Sequence, residues 1–350
     1  MSLFANNEPH NHEDRKDFGL DPQLKLIIAD HFSKGISKPN QILKVLRNEG
    51  HGEIEKSKLV NFLARLKKQK YGSAPFNYGE FENWCEIHST MPDAEDESYV
   101  VGHEVNCDAD NDEDRVLRAF ISTKRLITLA IHQKLICSDA TYKLLWHGFP
   151  VLLVGGVDKD KEFHPYGISI TKSEAAEDFE FIFRTLKSEV EKIGGTNFDP
   201  NILVADSADA ITSGFGQAFG NIFQRVNCWS HVARKVDQRL SLIADEATRK
   251  EIREDIEILQ LVRSEAAFLK ASELWRRKWS SPDVATFTDY FFSNWIQENN
   301  GWFEGRAPGY PSTNNALEAT NNVIKNEGTF RERLPIAQFV TLAMATVADW

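Results

Sequence analysis

The strongest constraint on the fold lies between residues 134 and 227, where short apolar runs and amphipathic stretches follow one another in a fixed order. LICSDAT, VLLVGGV and FHPYGISI have strand length and strand composition, and they predict strands near 134–142, 149–157 and 163–170, joined by short turns such as Trp146–Gly148. A helix is expected from about 174 to 193, with Phe179, Ile182, Phe183, Leu186, Val190 and Ile193 on one face. Thr171 and Glu174 stand at capping-box spacing ahead of it. NILVAD predicts a fourth strand ending at Asp206, a helix follows, and NIFQRV predicts a fifth. Upstream, SYVVGHEV and RVLRAFIS read as strands on either side of an acidic segment.

Three strands, a helix, a strand, a helix and a strand are the order of the RNase H-like fold. Beyond Val232 the patterns are helical, down to PIAQFVTLAMATVADW, so the expected class is α/β: a mixed sheet with an all-α insertion. That last helix reaches Trp350 apolar and uncapped, which suggests a natural domain continuing beyond it. Ahead of the sheet, helical patterns at 22–32, from Pro39, and at 55–69 predict a small helix-turn-helix-like domain. The expected division is a disordered tail at 1–20, a basic helical domain at 21–75, the first part of the core at 95–232, the insertion at 233–312, and closing core helices at 313–350.

Composition narrows the class further. The 350 residues are 41% hydrophobic, and no run approaches the length of a membrane span. There is no apolar leader, and four scattered cysteines form no disulfide framework, so a soluble protein of a reducing compartment is expected. The net charge of -11 argues against nucleic acid until its distribution is seen. Asp93–Asp114 holds ten acids and no base, whereas Lys34–Lys70 holds ten bases against Glu49, Glu53 and Glu55. In 55–69, Leu59, Phe62, Leu63 and Leu66 make an apolar stripe and basic residues occupy the rest. Lys56, Lys58, Arg65, Lys67, Lys68 and Lys70 are candidate DNA contacts; an ordinary solvated face fits the same pattern.

Asp139 is out of place in an apolar strand, since a buried carboxylate is costly unless paired or metal-bound. Asp206 stands at a strand's carboxyl end, where sites form in open α/β sheets. If the first and fourth strands are neighbours, the two carboxylates stand side by side and need a shared proton or a cation. Oxygen ligands suit Mg²⁺ or Mn²⁺, and such a site could hold two metals. The pattern alone equally allows Asp206 as a helix cap and Asp139 as a partnered structural carboxylate. In STNNALEATNNVIKN, Glu318 is the only acid of a polar arc formed by Asn314, Asn315, Asn321, Asn322, Lys325 and Asn326. A solvated face would look the same.

The ordered blocks SDATYKLLWHGFPVLLVGGVD, FHPYGISITKSEAAEDFEFIF, ILVADSADAI, CWSHV and TNNALEATNNVIK resemble the transposases of Mutator-like elements, over roughly residues 98–330. The resemblance implies an RNase H-like core with a DDE triad at Asp139, Asp206 and Glu318, two Mg²⁺ or Mn²⁺ ions, and metal-dependent DNA cleavage and strand transfer. The partners it implies are double-stranded transposon ends and target DNA, bound by a homo-oligomer in the nucleus. The 112-residue distance from Asp206 to Glu318 matches the helical insertion of that family. No Cys/His cluster of zinc-finger spacing precedes the core, unlike many relatives. A domesticated DNA-binding or regulatory protein without catalysis and a plain RNase H-like nuclease are the alternatives. Cys228 and His231 match the family's CxxH motif; two such residues cannot close a zinc site, so a packed role or proton donation by His231 stays open. Trp302, in NNGWFEGRAPGY, is either a core residue or a loop aromatic able to stack on an unpaired base. Lys325 is a candidate phosphate contact. Gly155–Gly156 lacks phosphate-loop spacing.

Overall fold

The computed structural model describes residues 19–34, 36–52, 54–71, 77–106, 115–158, 160–329 and 331–350. Residues 1–18 of the expected tail, most of the Tyr71–Pro75 break, Cys107 and the acidic residues after it up to Asp114, and the Lys70 side chain lie outside that description. The chain divides into two compact units, Met1–Gly72 and Ser73–Trp350. Among the described residues no helix is long and apolar enough to cross a membrane.

The first unit contains α1 (Pro22–Ser33), α2 (Pro39–Asn48) and α3 (Lys56–Tyr71). Asp21 caps α1 by accepting from the Gln23 and Leu24 amides at 2.8 and 3.3 Å, and Pro39 opens α2 where its missing N–H costs nothing. Ile28, Phe32, Ile42, Leu46, Leu59 and Leu63 are buried together, so the stripe read on α3 is its inner face. Lys56, Arg65 and Lys68 are exposed, and Lys58 lies 3.8 Å from Glu55. Lys25, Lys58 and Arg65 share one small cleft.

The second unit begins with α4 (Tyr78–Ile87), β1 (Ser98–Asn106), β2 (Val116–Thr123) and α5 (Lys124–Ala130). It continues through β3 (Leu135–Thr141), β4 (Val151–Val157), β5 (Phe163–Thr171), α6 (Ala176–Gly194), β6 (Ile202–Ala205), α7 (Asp209–Phe219) and β7 (Gln224–Asn227). The seven strands form one sheet in the order β1-β2-β5-β4-β3-β6-β7. β6 runs parallel to both β3 and β7, and the other pairs are antiparallel. Counted from β3, the first and fourth strands are neighbours, as the RNase H-like order requires, with β1 and β2 added at the β5 edge. Every residue of β4 is buried, which means both faces of the sheet are covered. One face carries Phe120, Ile136, Leu152, Val154, Tyr166 and Leu203 against Phe179, Ile182, Phe183 and Leu186 of α6 and Phe215 of α7. By the two-residue alternation of a strand, Cys137, Asp139 and Val204 belong to the opposite face.

Two local expectations are corrected. Thr171 still belongs to β5 and donates its hydroxyl to the Ser173 carbonyl at 2.6 Å, so it cannot cap a helix. Asp178 instead accepts from the Ala175 amide at 3.0 Å and opens α6 at Ala176. The sequence reading also passed over α4 and α5. Their caps were visible: Asn77 and Glu80 form a reciprocal capping box at 2.8 Å each way, and Thr123 accepts from Leu126 at 3.2 Å. Gly155 and Gly156 lie in β4 beside a bulge at Val154/Gly155. A Cβ would strike the His164 carbonyl and Phe163 ring at the first and the Tyr166 hydroxyl at the second. They serve close strand packing.

The helical segment starts at Trp229, slightly ahead of the expected 233, with α8 (Trp229–Leu240), α9 (Glu246–Gln260), α10 (Glu265–Lys278) and α11 (Ala285–Phe291). It continues into a π-helical turn at Phe292–Glu298. Val236, Ile252, Ile256, Phe268, Trp275, Phe291 and Trp302 form its own core. The chain then returns through α12 (Asn315–Val323), a π turn at Ile324–Gly328 and α13 (Ile336–Asp349). α12 lies against β3, β4 and β5, and α13 against β1, β2 and β5.

Candidate active site

The register of the central pair brings two of the acids together. Leu135, Ile136 and Cys137 of β3 pair with Ile202, Leu203 and Val204 of β6. Carrying that offset two residues onward sets Asp139 opposite Asp206, on neighbouring strands that lie about 4.8 Å apart. Asp206 is one residue past the end of β6 and accepts from the Ala208 amide at 3.0 Å. It is not the cap of α7, whose N-cap is Ala208. Asp139 accepts from the Ala140 backbone amide and, at 3.4 Å, from the Asn321 side-chain amide, and no buried cation pairs with it among the described residues.

α12 supplies the third acid. Glu318 lies on its first turn and lines, with Asp139, Asp206, His231, Arg234, Asn321 and Lys325, a cleft of about 520 Å³. Four members of the polar arc, Glu318, Asn321, Asn322 and Lys325, line this cleft, while Leu317 and Ile324 of the opposite arc are buried in the fold and Val323 is exposed. Glu318 Oε1 stands 3.4 Å from His231 Nε2 and makes no hydrogen bond. Burial raises the Asp139 carboxyl to about 7; the nearby Asp206 and Glu318 charges push the same way, and the Ala140 amide and Lys325 pull back. Burial lowers the Lys325 ammonium, and Asp139 opposes that shift. Such a cluster of oxygen donors can hold a hard divalent cation.

Cys228 is the N-cap residue of α8 and is buried, donating its amide to the Ala205 carbonyl at 2.8 Å; His231 reaches the cleft one turn on. Arg225 of β7, which sequence reading missed, is the unexpected member. Its guanidinium donates to the Thr212 hydroxyl at 2.9 Å, to the carbonyls of Ala205 and Val226 at 3.3 and 2.5 Å, and to the Asp206 carbonyl. An arginine inside the strand pattern QRVN was the available signal.

Trp302 is corrected. It is fully buried, stacked on Trp229 and edge-on to Phe268 and Phe291, and it donates its indole N–H to the Trp295 carbonyl at 2.6 Å. No face is left for a base. Trp302→Phe is expected to cost about 1–2 kcal/mol in chemical denaturation, through the lost hydrogen bond and volume. DNA affinity should not change, and weakened binding by the folded variant would restore the stacking role.

The α/β fold is consistent with an RNase H-like arrangement and sets Asp139 and Asp206 side by side at the β3–β6 strand ends. Residues 135–235 match the family model of the MULE transposase domain, a segment running from β3 into α8 that includes Asp139, Asp206, Cys228 and His231 but not Glu318. The match supports a MULE transposase and, with it, a transposase-related function and interaction with DNA. No curated protein matches the chain.

Proposed function

We propose that this chain is a DDE transposase that cleaves DNA and joins the resulting 3′ ends to a target, with Asp139, Asp206 and Glu318 as its metal ligands. The observation that carries the reading is the meeting of three carboxylates in one cleft, where Asp139 has no full counter-charge and its carboxyl is raised to about 7. The fit to Mg²⁺ or Mn²⁺ rests on that repulsion, on a donor set made only of oxygens, and on the unbonded Glu318 Oε1. When bound, such ions stabilise the charge that develops on attacking and leaving oxygens in phosphoryl transfer. Asp139 is held in β3 and Asp206, one residue past β6, by the Ala208 amide it accepts from, and α12 brings Glu318 into the same cleft. Lys325 and Arg234, in the same cleft, are suited to hold a phosphate against it. Water opens a phosphodiester and frees a 3′-hydroxyl; that hydroxyl then displaces a 3′-oxygen from a target phosphate. The work is done as a homo-oligomer on nuclear DNA.

Incubation with Mn²⁺ and DNA bearing the element's ends is expected to give strand cleavage by the parent and none by Asp206→Asn. Equal cutting by both proteins would remove Asp206 from the chemistry. The first unit is proposed to contact DNA backbone through Lys56, Lys58, Arg65, Lys67, Lys68 and Lys70. Its support is the basic α3 and the cleft shared by Lys25, Lys58 and Arg65. Reversing Lys67 and Lys68 to glutamate should flatten the salt dependence of binding by about two in log–log slope. An unchanged slope would assign DNA contact elsewhere.

A further inference from the structure

The cleft also contains a softer donor set than the three carboxylates. Cys228 and His231 sit on the first turn of α8 and Glu318 on the first turn of α12. A sulfur, a ring nitrogen and a carboxylate oxygen from these three lie within 4.8 Å of one another. Their existing partners are few. Glu318 Oε1 and His231 Nδ1 are buried without a hydrogen bond, and the Cys228 sulfur accepts only from backbone amides, those of Asn314 at 3.4 Å, His231 and Ser230. Asn314 is itself fully buried, and both polar atoms of its side chain lack partners. Buried polar groups left open in this way are costly, and a bound cation would satisfy the ligand atoms among them.

Thiolate, imidazole and carboxylate together select Zn²⁺ over Mg²⁺ or Mn²⁺, and three protein ligands leave a fourth tetrahedral position open. The opening exists here: His231 and Glu318 side chains are 21% and 30% exposed and line the cleft. Bond lengths of about 2.0–2.3 Å require the three ligand atoms to draw together from their present spacing of up to 4.8 Å. The strand acids offer oxygen alone, so a hard cation gains nothing from Cys228. Glu318 belongs to both donor sets.

We propose that Cys228, His231 and Glu318 form a Zn²⁺ site that shares Glu318 with the carboxylate cluster, so that zinc and the hard cation compete for it. The zinc site itself does not depend on the DDE reading; the competition does. Co²⁺ is the optical probe, Zn²⁺ is titrated against a chromophoric chelator, and Mn²⁺ binding is followed by electron spin resonance, all on the full chain freed of metal. Co²⁺ should produce a thiolate charge-transfer band that Cys228→Ser abolishes, and that variant should bind Zn²⁺ about 100-fold more weakly. His231→Gln should weaken Zn²⁺ about 10-fold or more and serves as the second variant where circular dichroism shows Cys228→Ser unfolded. Zn²⁺ should weaken Mn²⁺ binding to the parent but not to Cys228→Ser. A Co²⁺ spectrum without a thiolate band, or one unchanged by Cys228→Ser, overturns the site. The DDE reading fails separately, if Asp139→Asn leaves Mn²⁺ affinity unchanged while the Cys228-dependent band persists, and that outcome leaves the zinc site standing.

Discussion

Asp139→Asn is expected to lower metal-dependent strand cleavage by at least about 1000-fold and, at pH 8 without metal, to melt at a higher temperature than the parent. The two effects have one origin. Asp139 is held on β3 with its carboxyl raised from 3.8 to about 7, by burial first and then by the Asp206 and Glu318 charges. Well below pH 3.8 the group is neutral in folded and unfolded chains alike and costs nothing. As pH rises from 4 to 7 the unfolded chain releases this proton and the folded chain keeps it, so stability falls; above 7 the whole cost is present. That cost is roughly 2–4 kcal/mol, the upper figure assuming no relaxation around the carboxylate. The amide of asparagine carries no charge to repel, so the variant should gain most at pH 8 and little at pH 4.

Metal reverses the ranking. Mn²⁺ binds the folded state and should raise the parent's melting temperature by mass action, but not that of Asp139→Asn. Because the cation displaces the Asp139 proton, its affinity should fall about tenfold for each pH unit below 7. Thermal melts of both proteins at pH 4, 6 and 8, with and without Mn²⁺, decide the matter. A variant that melts below the parent at pH 8, and a parent indifferent to Mn²⁺, would make Asp139 a structural carboxylate.

Much of this was legible in the sequence because strands announce themselves through apolar runs, and one charge in such a run stands out. Asp139 and Asp206 were found in that way, and their shared register follows from the parallel pairing of β3 and β6. Glu318 was legible only as the sole acid of a polar arc, since periodicity cannot say whether such an arc meets water or a cleft. The structure supplies the missing fact: Glu318, Asn321, Asn322 and Lys325 line the cleft, and Leu317 and Ile324 of the other arc are buried. Trp302 misled because Gly, Pro and Asn around an aromatic read as a loop, while its burial depends on Trp229 and Phe268, distant in sequence. Thr171 misled for a different reason: capping-box spacing ignores whether the first residue is still held in a strand.

Arg225→Met is expected to destabilise the protein by about 3–5 kcal/mol, which would make it the most damaging single substitution outside the hydrophobic cores. Among the described residues the arginine has no salt bridge; its guanidinium donates instead to the carbonyls of Ala205, Asp206 and Val226 and to the Thr212 hydroxyl. Burial lowers it to about 10, and the Asp206 charge opposes that shift, so the group stays charged at neutral pH. At the strand end Arg225 donates to the Asp206 and Val226 carbonyls and adds a second donor to the Ala205 carbonyl, which already accepts from the Cys228 amide. Methionine fills the volume but removes the guanidinium donor from the Asp206 and Val226 carbonyls, while the Ala205 carbonyl keeps the Cys228 amide. Arg225→Lys keeps the charge yet lacks the planar fork, and should recover only part of the loss. The consequence reaches the cleft, because the same carbonyls fix the backbone that carries Asp206. Cleavage by Arg225→Lys, measured well below its melting temperature, should fall by about 10-fold or more through misplacement of that carboxylate. Urea denaturation of the three proteins gives the stability order. A loss under 1 kcal/mol for Arg225→Met would show that water satisfies these carbonyls and that the strand end holds Asp206 without help.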